Sequence, residues 1–280
     1  MSFNSVNTNR QAVFALQSLN QTNSELGGVQ KRVSTGFRVS DARDDGGAFA
    51  VAQAVRSDIA GVTAVGEQLG GTRGILSTTF AALSVVSDTM KQVRAVLTRL
   101  ADAGIQDTSR DQYETQYELL RDQIADFVGD AYYNGRTLLS TAAAANGGDI
   151  SAIRNETGGS FTITAVDGAA FLALLPVAAP ANAAAATALI QPGTGAFAQA
   201  DAAISEALND FGAQMQYVEN QIVYNSKKID AMNDGLGALV DADLAKESSR
   251  LQALQTRQQL GVQTLGIANQ GPQVLLSLFR

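Results

Sequence analysis

Asp41, Asp44 and Asp45, followed by Gly46, are spaced much as the oxygen ligands of a calcium loop are. A helix-loop-helix calcium site takes oxygen donors at alternate positions and a carboxylate at the twelfth. Here Arg43 stands at the third and Ala52 at the twelfth, so the loop chemistry is broken. The same carboxylates suit a simpler task, accepting hydrogen bonds from the free N–H groups that open a helix, each contributing a few tenths to about 1 kcal/mol. Gly70-Gly71-Thr72-Arg73-Gly74 lacks the terminal Gly-Lys-Ser/Thr with which a phosphate loop holds its anion. The chain has no Cys and no His, which removes disulfides, thiolate chemistry, imidazole bases and the commonest transition-metal ligands. We therefore expect no catalysis, no cofactor and no metal. A net charge of -7 argues against nucleic acid, whose binders need a basic surface to displace counterions. The N-terminus has no basic segment followed by an apolar stretch, as a cleaved secretory signal would. The most apolar stretch, 169–190, is broken by Pro176, Pro180 and Asn182 and is too rich in Ala for membrane insertion.

With site chemistry so sparse, the information lies in the helices. Val55, Val62, Leu69, Leu76, Leu83, Met90 and Leu97 recur every seventh residue, and Val65, Val86, Val93 and Leu100 form a second row with Asp58, Thr72 and Thr79. A strict heptad keeps one narrow stripe on an underwound helix and calls for another helix beside it. The complementary stripe comes about 150 residues later: Ile204, Phe211, Val218, Met232 and Leu239 are heptad-spaced, with Leu208, Met215, Ile222, Ile229 and Leu236 four residues after the first five slots of that row. The pattern predicts a mainly α fold, a long antiparallel coiled-coil-like rod. Such rods usually exist to be assembled.

Along the chain, a first helix is expected from about Ser5 to Val33, with Ala12, Leu19, Leu26 and Val33 in a weak seam that also holds Thr22. Turn chemistry at 34–41 interrupts it, and the heptad helix runs from about 44 to 102. Its glycines, Gly61, Gly66, Gly70, Gly71 and Gly74, each cost roughly 1 kcal/mol relative to Ala, which suggests close backbone packing or local kinking. Thr108 and Asp111 resemble a capping box opening a third helix to about Asp130, with Tyr113, Tyr117, Leu120, Ile124 and Phe127 as its stripe. Residues 160–166 alternate like a strand, and Asp167-Gly168 reads as a hairpin turn. The last forty residues return to helix, with Leu244, Leu251, Leu254, Leu265 and Leu275 alongside Gln258 and Gly261.

Four motifs carry a resemblance. Val33-Ser34-Thr35-Gly36-Phe37-Arg38-Val39-Ser40-Asp41-Ala42-Arg43-Asp44-Asp45-Gly46-Gly47 resembles the N-terminal signature of bacterial flagellins, and Tyr133-Asn134-Gly135-Arg136-Thr137-Leu138-Leu139 is similar to a second family segment. Val240-Asp241-Ala242-Asp243-Leu244-Ala245-Lys246-Glu247 and Ala268-Asn269-Gln270, through Gln273-Val274-Leu275-Leu276-Ser277-Leu278-Phe279-Arg280, resemble the C-terminal one. The sequence departs from the family at Val33, Phe37, Val39 and Gly46-Gly47. The resemblance spans roughly 1–140 and 200–280 and implies a short flagellin without large outer domains, polymerising into the flagellar filament.

It further implies a domain plan: 1–43 as the N-terminal D0 helix and linker, 44–140 as the N-terminal D1 helices, and 141–199 as a variable segment with a β-hairpin. Residues 200–239 would be the C-terminal D1 helix and 240–280 the C-terminal D0 helix. Leu19, Leu26, Val33, Leu251, Leu265, Leu275, Leu278 and Phe279 would serve filament-core assembly, and Arg38, Arg43, Asp44 and Asp45 the polar contacts of the D0–D1 link. The implied partners are the chain itself or sister flagellins, the export chaperone, the filament cap and the hook–filament junction proteins. Export would be uncleaved, to the flagellum outside the cell.

Two other readings compete. One is a hook–filament junction protein of the same superfamily; the other is an amphipathic surface binder, which would need a wide apolar face with a basic rim. Asn225, in the heptad row between Val218 and Met232, is either an exposed helix residue or a buried amide that sets register. Gln255, Gln258, Gln259 and Gln263 form a polar face. Thr157, Ser160, Thr162, Thr164, Thr187 and Thr194 are candidate O-glycosylation positions, since some flagellins carry such sugars in this segment.

Overall fold

The computed structural model describes residues 9–141 and 146–277. They form α1 (Arg10–Thr35), α2 (Gly46–Leu100), α3 (Asp107–Gly129), strands β1 (Ile150–Ile153) and β2 (Ser160–Ile163), α4 (Gly168–Ala173), α5 (Ala183–Ile190), α6 (Ala196–Val240) and α7 (Leu244–Ser277). The fold is mainly helical, with one small antiparallel sheet among the described residues. The chain divides into two compact units, Met1–Ile59 with Ala231–Arg280, and Ala60–Asp230.

In the larger unit the α2 stripe is the core. Val62, Leu69, Leu76, Leu83, Met90 and Leu97 are fully buried, as are Val86, Val93 and Leu100 of the second row. Thr72 and Thr79 hold buried slots there because their hydroxyls donate to the carbonyls of Gln68 and Ile75, one turn back. From α6, Ile204, Phe211 and Val218 are buried in the same cluster. Arg94 lies over the Phe197 ring, Gly212 faces Phe80, and Arg73 approaches Glu219. Each step back along α2 thus meets a step forward along α6, which is antiparallel packing. Val55, Met232 and Leu239 fall in the smaller unit and are half-buried.

α3 adds Tyr117, Leu120, Ile124 and Val128 to this core, with Tyr113 and Phe127 at its margin. The Tyr117 hydroxyl donates to the Pro176 carbonyl, and burial pushes its pKa up to about 12. The expected Thr108–Asp111 capping box does not form: α3 begins at Asp107 after Gln106, whose side chain makes no cap. Its start is held instead by Arg110, whose guanidinium donates to the carbonyls of Leu100 and Asp102 at the end of α2.

The hairpin also differs from expectation. β2 pairs with a strand before it, Ile150 opposite Ile163 and Ile153 opposite Ser160, and the connection is 154–159 with Gly158 at φ 85°. Asp167 caps α4, accepting from the N–H groups of Ala169 and Ala170. The reason lies in burial periodicity. Ile150 and Ala152 supply alternating buried side chains before β2, whereas Phe171 and Leu175 after it are buried at helical spacing. Of the α2 glycines, Gly74 lies under the Tyr133 ring, where a Cβ would come within 2.6 Å, and Gly61 faces Glu156. Gly66, Gly70 and Gly71 face open space, so close packing explains only two of the five.

In the smaller unit, Leu26, Val29 and Leu254 are buried between α1 and α7, and Val39, Ala52 and Val240 form a second cluster. α1 starts at Arg10, capped by Asn9; the expected start at Ser5 lies outside the described residues.

Leu83→Asp should cost about 4 kcal/mol or more, because it removes a fully buried side chain and leaves a carboxyl without water. Thermal unfolding followed by circular dichroism should drop by about 10 °C or more. An unchanged transition would mean that the stripe is not the core.

Candidate functional site

In the smaller unit, four helix ends meet and their free backbone groups are satisfied in turn. Gly36 ends α1 at φ 74°, in the left-handed region, and donates to the Arg32 carbonyl. The chain then runs beside the end of α6: Arg38 and Val39 donate to the Val240 carbonyl, and Ala242 donates back to Gly36. The Arg38 guanidinium donates to the Leu239 carbonyl, a cation on a helix C-terminus. Arg56 lies 5.9 Å from the Phe37 ring centroid. Asp45 opens α2 by accepting from Gly47 and Ala48, and Asp243 opens α7 by accepting from Ala245 and Lys246.

The carboxylates that looked like calcium ligands point elsewhere. Asp44 Oδ2 accepts from the Ser40 N–H and hydroxyl, the Asp41 N–H and Lys31 Nζ at 2.9 Å. Asp41 Oδ1 accepts from the Arg43 N–H, while its Oδ2 accepts from Lys31 at 2.8 Å. Arg43, expected in the link contacts, contributes only this backbone group; its side chain is exposed and makes no hydrogen bond or ion pair among the described residues. Lys31, from the last turns of α1, takes the role instead. Sequence reading missed it because Lys31 is ten residues from Asp41, with a turn between them. The Lys31 ammonium holds both carboxyls below the usual range, and they in turn raise Lys31.

The α1–α7 pair is antiparallel. Asn9 Nδ2 donates to the Ala268 carbonyl, Gln258 to Asn23, and Arg32 to Glu247 at 3.1 Å. Leu19 packs at the face of Gly261. Val33 and Leu251 flank the buried trio, and Leu265 is half-buried. Thr22, in the weak seam, is buried with its hydroxyl on the Ser18 carbonyl. The side chain of Leu275, and Leu278 and Phe279 entirely, lie outside the described residues. Much apolar surface stays uncovered: Val13, Phe14, Leu16, Leu260, Val262 and Ile267 are all exposed.

In the larger unit, Asn225 is buried and donates to the Arg154 carbonyl while accepting from Gln221. Lys228 pairs with Glu156 at 2.6 Å, which holds Glu156 below its usual pKa. The Asn225 amide is thus buried, and its partner is the hairpin loop rather than a facing helix. Thr157, Ser160, Thr162, Thr164, Thr187 and Thr194 are exposed, with the Thr187 hydroxyl donating to the Ala183 carbonyl. No helix among the described residues is long and apolar enough to cross a membrane.

These features, capped helix ends and apolar faces with little polar chemistry, suit association with other chains. Residues 6–144 match the bacterial flagellin N-terminal helical region and residues 194–279 the bacterial flagellin C-terminal helical region. Flagellin FljM of Caulobacter vibrioides is 34% identical, with 100% of both chains covered. Flagellin FljK of the same organism is also 34% identical with 100% of both covered. A flagellin of Brucella melitensis is 31% identical, with 99% of each covered.

Lys31, Asp41 and Asp44 set a pH window. A carboxylate with a depressed native pKa contributes stability above its unfolded value, and this is lost as pH falls through the native value; a raised lysine contributes below its unfolded value and loses this as pH rises through the native one. The joint is therefore intact between roughly pH 5 and 10. In Lys31→Met, the carboxyl of Asp44 should titrate closer to the ordinary 3.8. Carboxyl NMR titration reads this directly, and an unmoved midpoint would remove Lys31 from the joint.

Proposed function

The chain belongs to the bacterial flagellin family and is a subunit of the flagellar filament outside the cell, a short form without large outer domains; on that basis we propose that the α1–α7 pair is its principal polymerisation surface. The observation carrying this is the mismatch between what the pair buries and what it exposes. Leu26, Val29 and Leu254 are the buried apolar trio between two helices of 26 and 34 residues, each worth about 1.5–3 kcal/mol. Val13, Phe14, Leu16, Leu260, Val262 and Ile267 remain in water. An apolar surface of this kind marks a partner. The family's filament supplies that partner in the form of neighbouring subunits.

In this reading 1–43 and 240–280 form the inner D0 part, with 44–140 and 200–239 as D1 and 141–199 as the outward variable segment. Leu19, Leu26, Val33, Leu251, Leu265, Leu275, Leu278 and Phe279 face neighbours or one another in the core. Before export, a chaperone covers the C-terminal arm; export is uncleaved, and the cap and junction proteins meet the subunit at the filament's two ends. The protein's work is mechanical rather than enzymatic, in keeping with a family of structural proteins and a chain without Cys or His.

Two experiments test this. Hydrogen exchange should find α1 and α7 weakly protected in isolated subunits and strongly protected in filaments; strong protection in a verified monomer contradicts the coupling of order to assembly. Deleting Pro272–Arg280 should abolish filament growth in microscopy and motility assays while circular dichroism shows the helices of the larger unit retained. Normal filaments from the truncated chain would take the C-terminal arm out of the assembly surface.

A further inference from the structure

A groove of about 280 Å³ opens between α2 and the end of α3, lined by Thr78, Ala82, Val85, Phe127, Asp130 and Ala131. Its lining is nearly all apolar, yet Val85 remains 45% exposed at its edge. The rim is acidic. Asp130 lines the groove, Asp126 stands one turn earlier on α3, and the last turn of α3 carries no basic residue to offset its carbonyl end. Among the described residues neither carboxylate pairs with a cation, whereas Asp122, one turn further back, is paired with Arg121.

A matching surface lies elsewhere in the same unit. Ile153 sits on the outer face of the hairpin, 37% exposed, and Arg154 follows it, exposed and without a carboxylate partner among the described residues. This apolar–cationic pair is held rigidly. The Arg154 N–H donates to the Gly159 carbonyl, its own carbonyl accepts from Gln221 and Asn225, and Glu156 two residues on pairs with Lys228 while packing against Gly61. The loop therefore sits at the level of Gly61, whereas the groove lies at Thr78–Val85. At 1.5 Å per residue these are about 30 Å apart along α2, too far for Arg154 to reach its own groove.

We propose that the groove between α2 and α3 receives Ile153 and Arg154 from a second copy of this chain, with Ile153 against Phe127 and Val85 and Arg154 beside Asp126 and Asp130. The inference rests on the polymer reading and gives it a contact outside the α1–α7 pair. Charge sign decides the orientation: a basic side chain beside an apolar one meets a groove whose only charged lining residue is Asp130. The polar clasp of Asn225, Gln221, Glu156 and Lys228 acts as preorganisation, so that little order is lost when the loop docks.

The test uses the full chain, purified and added to short filament seeds, with the polymerisation threshold measured by sedimentation. Arg154→Glu and Asp130→Arg should each raise the threshold about tenfold or more, and Ile153→Ser should raise it as well. All three positions are exposed or at the groove rim, and unchanged thermal transitions would confirm folding. Combining Arg154→Glu with Asp130→Arg restores the opposite-charge pair and should bring the threshold back to within about threefold of the unaltered chain. Single variants that polymerise like the parent overturn the contact, as does a double variant no better than the two losses combined, which would mean that another segment fills the groove. If the unaltered chain fails to extend seeds, the polymer reading falls and this contact with it; growth of the unaltered chain with indifferent variants removes the contact alone.

Discussion

The apolar stripe along α2 is the constraint from which the larger unit follows. A seven-residue repeat keeps it on one continuous side of a 55-residue helix, too long for the neighbouring segment of chain to cover alone. Ile204, Phe211 and Val218 of α6 are buried with it, together with Tyr117, Leu120 and Ile124 of α3 and with Leu138, Ile150, Ile163 and Phe171 from the segment that follows. The contacts with α6 join residues about a hundred or more positions apart, so the stripe is fully buried only when the whole unit has closed. Cooperativity of this kind suits a subunit that must stay intact while its neighbours attach.

The smaller unit is governed by polar rather than apolar bookkeeping. A helix end leaves N–H or carbonyl groups without partners, and four such ends are gathered here from two stretches of chain, 35–46 and 240–244. Gly36, Arg38, Asp45 and Asp243 satisfy them, and Lys31 bridges the two carboxylates of the turn. The side chains of Lys31, Asp41 and Asp44 are 39%, 43% and 31% exposed, so solvent screens their attraction. Their contribution is to orientation, since they fix the path of the chain between α1 and α2. Val39, Ala52 and Val240 then close a small apolar cluster under that path.

Buried polar groups follow the same logic throughout. Thr22, Thr72, Thr79 and Thr89 occupy apolar rows because each hydroxyl turns back to a carbonyl of its own helix. Asn225 is different, since its amide reaches another element, the hairpin loop at Arg154, and it is backed by the Lys228–Glu156 pair. An ion pair that still reaches solvent contributes little stability by itself. Joined to a buried amide and to the close approach at Gly61, it gives the hairpin one defined position.

The sequence alone determined the five long helices, the two apolar stripes, the carboxylate cap at Asp45 and the family motifs. Each depends on local periodicity or on short spacing, which a linear chain displays directly. The antiparallel fit of Val62–Leu97 with Ile204–Val218 was legible for the same reason, because two helices joined by a returning connection have few other ways to bury heptad rows. Tertiary structure decided the rest. The partner of β2 precedes it, and Asp167 caps a helix rather than making the hairpin turn, because core burial selects among strand pairings that local propensity leaves equal. Lys31 rather than Arg43 holds the joint because reach across a turn depends on the direction of the helix that presents it. Asn225 binds the hairpin, and Gly61 and Gly74 take in Glu156 and Tyr133, through approaches between segments distant in sequence. Such contacts are set by which surfaces remain once the stripe is covered, and no spacing within a single helix encodes that.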